Sequence, residues 1–163
     1  MSAKKILLLG VGNILYKDEG LGVYAVQHLE ANYSFPDHVT VMDGGVMGKM
    51  LMNVLIDHDF VIVADAVLGG GAPGSVYRLL GEGLRKSLGF RDSQHDVDLV
   101  DTLISCELIG KRPDVVVIGM EPGGYLTLGT EMTEACAAAF PKFLGHILEE
   151  LEAAGVKAAP KNA

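Results

Sequence analysis

The chain predicts a single three-layer α/β/α domain built on a twisted, mostly parallel five-stranded sheet. Three observations carry this expectation. Short, almost purely apolar runs alternate with longer stretches of helical periodicity, the pattern of strands buried on both faces and joined by helices. The first run ends in a glycine-framed turn from Gly10 to Gly22, where a strand hands over to a helix. The length of 163 residues with 49% hydrophobic content fills one core and is too short for two ordinary domains.

The elements follow in order. Residues 5–9 form the first strand, 19–32 a helix, 39–43 a second strand and 48–57 a second helix. Residues 60–66 read as a third strand buried on both faces, since Phe60 to Ala66 is interrupted only by Asp65. A glycine loop over 69–74 leads to a short strand over 75–80, whose alternation fits an antiparallel edge, and 81–96 is irregular. Leu99, Val100, Leu103, Ile104 and Leu108 recur at helical spacing, and Gly110 ends that helix. A strand over 114–120, a loop over 121–129 and a long amphipathic helix over 131–154 complete a domain spanning 1–157. The tail 158–163 is expected to be disordered. The expected strand order is 2-1-3-5-4, with strand 4 the antiparallel edge and helices on both faces.

Composition excludes several functions. The net charge of −8, with no cluster of Lys or Arg, argues against a nucleic-acid groove. The apolar runs fall short of the ~20 residues that span a bilayer, and the N-terminal run lacks the features of a signal peptide. A cytoplasmic location is expected. Cys106 and Cys136 stand far apart in apolar helical surroundings and read as buried small hydrophobes of a reducing compartment.

The turn from Gly10 nearly spells a dinucleotide fingerprint, but Leu15 stands where the third glycine belongs and Asp18 and Glu19 stand where a phosphate would sit. This loop suits a cation better than an anion. In a parallel sheet of this order, ligands bind beyond the carboxyl ends of the strands, where the order reverses. That crevice lies between the first and third strands, so Asp65 is expected to face Glu19 across it. His95, just ahead of a helix at the same edge, completes a set of two carboxylates and one imidazole, suited to nickel, zinc, manganese or iron in the divalent state. The same residues also read as a first-turn charge, a strand-end turn former and a helix-start polar residue. His28, His38, His58 and His146 read as surface or boundary residues, the aspartates at 92, 96, 98 and 101 as a solvated helix start, and Met47, Met50 and Met52 as core filler.

Taken together, Gly10 to Asn13 followed by Asp18 to Gly22, Asp43-Gly44-Gly45, Ala64-Asp65-Ala66, Ser93 with His95, and Gly119 to Pro122 resemble, in order and spacing, the hydrogenase maturation endopeptidases. The resemblance runs over residues 5–155. Asp96 departs from the Gln or Glu common beside the family histidine. What the resemblance implies is an endopeptidase that removes the C-terminal extension of the nickel-iron hydrogenase large-subunit precursor after nickel insertion. Glu19, Asp65 and His95 are then the implied metal-contacting and catalytic residues, and Asp43, Gly44 and Gly45 the implied site of substrate discrimination. Nickel would arrive with the substrate, with no tightly bound resident metal, and the enzyme would act as a monomer. The chain lacks H-E-x-x-H and G-x-S-x-G, so hydrolysis would be metal-assisted or carboxylate-based rather than through an acyl-enzyme. Two other readings are a Rossmann-like nucleotide-binding protein, with Asp43 on a ribose, and a non-enzymatic nickel chaperone.

Overall fold

The computed structural model describes residues 3–45, 50–88 and 99–161. Its centre is β1 (Ile6–Val11), paired in parallel with β3 (Val39–Gly45) on one side and β4 (Phe60–Ala66) on the other. Beyond β4 lies β6 (Asp114–Met120), again parallel, and at the edge β5 (Val76–Leu79) pairs antiparallel to β6. The order β3-β1-β4-β6-β5 is the expected 2-1-3-5-4, antiparallel edge included.

Period-two alternation sends successive side chains of each strand to opposite faces. Ile6, Leu8, Ile62, Ala64, Val116 and Ile118 pack under α1 (Leu21–Asn32) and α4 (Glu134–Ala153). Leu7, Leu9, Val61, Val63, Val115 and Val117 pack under α2 (Leu51–Ile56), α3 (Leu99–Leu108) and a 3₁₀ turn over Gly81–Lys86. Leu7, Leu8 and Leu9 are fully buried, each contributing about 2 kcal/mol of hydrophobic stabilisation relative to exposure. Two covered faces are why the strands read as continuous apolar runs rather than alternating ones.

The boundaries differ where local chemistry intervenes. The first strand continues to Val11, with a register shift between Gly10 and Val11. The first helix begins at Leu21, because Lys17–Gly20 forms a 3₁₀ turn. Thr133 is the N-cap of α4, so that helix opens at Glu134, and it continues through Pro141. The tail expected to be disordered is placed as far as Lys161: β7 (Ala159–Pro160) pairs antiparallel with β2 (Tyr33–Ser34), and the Lys161 N–H donates to the Asn32 carbonyl at 3.0 Å. Buried Val156, just after α4, directs the chain back toward β2.

Candidate active site

The carboxyl ends of β1, β3 and β4 meet beneath the start of α1. Gly10 and Gly22 make that approach feasible. A methyl group on Gly10 would run into the Gly22 carbonyl and Val26, and one on Gly22 would run into the Ala64 and Val11 carbonyls. The glycine motif therefore seats the helix directly on the ends of β1 and β4, the task a third glycine performs in a dinucleotide fold. Gly12, at φ 128°, donates its N–H to the Gly45 carbonyl at 2.9 Å, tying the turn to the end of β3. Only glycine adopts that φ readily.

Asp18 and Glu19 part company in this turn. Asp18 is fully buried and accepts four hydrogen bonds: Gly123 N–H at 2.8 Å, Gly124 N–H at 3.0 Å, Thr133 N–H at 2.8 Å and Thr133 Oγ1–H at 2.6 Å. Burial opposes its charge, but the bonds from Thr133, Gly124 and Gly123 outweigh that and hold its carboxyl below the ordinary carboxylate value. Asp18 is thus a clamp between the starts of α1 and α4 and no part of an open cation site. Glu19 is half-buried in the same turn, and that turn packs against β4.

Asp65 is fully buried near the end of β4, one residue beyond the Ala64 carbonyl on which Gly22 rests. Its Oδ1 accepts the Ala66 N–H at 2.7 Å, and its Oδ2 accepts the hydroxyl of buried Ser87. Glu19, in the turn that packs against β4, and Asp65, near the carboxyl end of β4, therefore lie at the same edge of the sheet. His95, with Ser93 and Asp96, lies outside the described residues. Among the described residues, no three His, Cys, Asp or Glu side chains form a metal-binding group.

Asp43 stands at the end of β3, opposite Gly10, and is exposed. Its Oδ1 accepts the Gly45 N–H at 3.0 Å, and its Oδ2 accepts from Gln27 of α1 at 3.3 Å. Gly45 takes φ 49°, completing a turn that leaves Asp43 outward-facing beside the crevice.

Two supporting residues take their roles only from the tertiary structure. Ser87 sat in a stretch read as irregular, and only its contact with Asp65 reveals its role. Glu121, nearly buried after β6, gathers three donors on Oε1: Gly69 N–H at 2.9 Å, Gly71 N–H at 3.0 Å and Tyr77 O–H at 2.8 Å. Burial, with the bond to Glu121, pushes the Tyr77 hydroxyl above its ordinary pKa. The available signal was a glycine loop over 69–74, whose N–H groups need an acceptor.

The remaining histidines lie elsewhere. His38 and His58 flank the amino ends of β3 and β4, His28 stacks edge-on against Phe140, and His146 pairs with Glu149. Both cysteines are buried and unbridged, and burial raises their thiol pKa values, which disfavours the thiolate a nucleophile needs.

Comparison with known proteins agrees with this architecture. A family model described as hydrogenase maturation protease matches residues 23–150. The chain is 34% identical to the hydrogenase 2 maturation protease of Escherichia coli, over 98% of each protein. It is 36% identical to a hydrogenase expression/formation protein of Azotobacter vinelandii, over 99% of this chain and 79% of that one. The solved hydrogenase maturating endopeptidase HybD from E. coli superposes with a TM-score of 0.86 at 33% identity, covering 97% of this chain and 98% of that one. No described helix is long and apolar enough to cross a membrane. With this sheet order, a family model over most of its length and a relative matched over 98% of both proteins, the chain belongs to the hydrogenase maturation proteases and is an endopeptidase of that family.

Proposed function

We propose that this enzyme removes the C-terminal extension of a nickel-iron hydrogenase large-subunit precursor once nickel has been inserted, and that it senses the substrate's nickel through Glu19, Asp65 and His95. The observation that carries the reading is the seating of the Glu19 turn on the end of β4, beside buried Asp65. Two carboxylates at one sheet edge supply hard anionic contacts for a divalent ion. Nickel is part of the substrate in this scheme, and the enzyme holds no tightly bound metal of its own. Asp43, Gly44 and Gly45, on the neighbouring strand end, discriminate between precursors, and the exposure of Asp43 supports that role. The enzyme acts as a cytoplasmic monomer.

Variants test the assignment directly. Glu19→Gln, Asp65→Asn and His95→Ala should each lower cleavage of nickel-loaded precursor at least ~100-fold, consistent with the cost of losing a residue that acts on the reacting centre, while circular dichroism stays native. Asp43→Asn should instead alter the ratio of cleavage between cognate and non-cognate precursors. Normal processing by the Glu19 and His95 variants would refute the nickel-sensing scheme.

A further inference from the structure

Asp65 is held at both of its oxygens, and the second hold comes from a distant part of the chain. The Ala66 N–H reaches Oδ1 at 2.7 Å from the neighbouring residue, whereas the Ser87 hydroxyl donates to Oδ2 from 22 residues further along. The terminal torsion of an aspartate is broad and roughly two-fold, so a carboxylate tied at one oxygen still swings. A second tie at the other oxygen fixes its plane. Ser87 has little room to move. It is 1% exposed, and its N–H donates at 3.2 Å to the carbonyl of Leu84, which is buried in the core beneath α2 and α3. The same segment is stitched to the continuation of β4: Ser87 bridges Val67 in antiparallel fashion, and the Leu68 N–H donates to the Lys86 carbonyl at 3.1 Å. Gly119, opposite Asp65 on β6, makes room for that bridge, since a methyl group there would sit 2.0 Å from Cγ2 of Val67. Asp65 and the residue that holds it thus rest on one packed strand end, the rigid kind of support that a functional carboxylate requires.

We propose that Ser87 is a positioning residue for cleavage, its hydroxyl setting the plane in which the Asp65 carboxylate meets the reacting centre. The inference rests on the proposed function for the role of Asp65. Ser87 is not itself a nucleophile, because its hydroxyl is closed off from solvent and its proton is committed to Asp65. Without that donor, Asp65 would present its oxygens over a range of directions, and the ordering that Ser87 supplies in advance would have to be found anew in each turnover. Partners that orient a metal-contacting carboxylate in this way are worth about 10- to 100-fold in metal affinity or activity.

The test compares Ser87→Ala, Asp65→Asn, the double variant and the wild-type chain on purified nickel-loaded precursor, with rates expressed per folded enzyme from circular dichroism. Ser87→Ala should lower kcat about 10- to 100-fold while KM stays within about twofold, since the surfaces that bind the precursor are unchanged. Ser87→Cys fills the same space with a weaker donor and should fall between. On the Asp65→Asn background, Ser87→Ala should cost no further activity, because its effect passes through that carboxylate, and urea unfolding of the four proteins should show the same non-additivity. Wild-type kcat in Ser87→Ala beside an impaired Asp65→Asn would overturn the positioning role alone, and so would a loss that recurs in full on the Asp65→Asn background. An Asp65→Asn variant that cuts at the wild-type rate would refute the proposed function and this inference with it.

Discussion

At the scale of single residues, two adjacent carboxylates illustrate how burial divides labour. Asp18 and Glu19 are chemically alike, yet Asp18 answers four donors from the segments before α4, while Glu19 stays half-buried in the turn that packs on β4. Removing Asp18 takes the acceptor from three backbone N–H groups and the Thr133 hydroxyl at once, so Asp18→Ala should destabilise the fold by about 3 kcal/mol at pH 7. Asp18→Asn should cost less, because its oxygen can serve the Oδ2 position and only its NH₂ opposes the Thr133 N–H. The folded carboxyl titrates below its unfolded value of about 4, so its stabilisation is full above that pH and fades as pH falls through the lower folded value. Urea unfolding of wild type and Asp18→Ala at pH 7 and pH 3 should show the gap between them narrowing at the acid end. A constant gap would mean that Asp18 acts through packing alone.

At the scale of elements, contact between α1 and the ends of β1 and β4 sets the geometry of the site. Gly22 allows it, at the second residue of the helix. Gly22→Ala would place a methyl group against backbone carbonyls of two different strands, which side-chain rearrangement cannot relieve, so a loss of about 3 kcal/mol is expected, at the upper end of overpacking costs. Thermal melting would measure this. If the variant folds, its helix must lift from the strands, and cleavage should fall out of proportion to the stability lost. Helix α4 shows the opposite case, where a local rule yields to burial. Pro141 removes a backbone donor in mid-helix, but Cys136, Phe143, Leu144, Ile147 and Leu151 keep one apolar face on the sheet and hold the helix together.

At the scale of the whole molecule, the sheet separates two cores, and each contains one cysteine: Cys136 under α1 and α4, Cys106 under α2 and α3. Both thiols are buried with raised pKa values, so iodoacetamide should label neither in the native protein at pH 7.5. If the domain unfolds as one unit, both should become reactive at the same urea concentration; separate midpoints would show that the faces open independently. The fold was legible in the chain because it rests on period. Apolar runs, helical spacing and glycine punctuation are local, so they marked the strands, the helices and the short alternating strand that forms the antiparallel edge, and the connection rules of alternating α/β chains supplied the order. The sequence also marked Asp43, Gly44 and Gly45 at the end of their strand. Tertiary structure alone decided that Asp18 is a clamp, that Ser87 holds Asp65, that Glu121 anchors the glycine loop and that residues 159–160 pair with 33–34. Each of these joins residues distant in the chain through hydrogen bonds whose partners carry no periodic signal, and such pairings exist only once the apolar cores have brought the strand ends together.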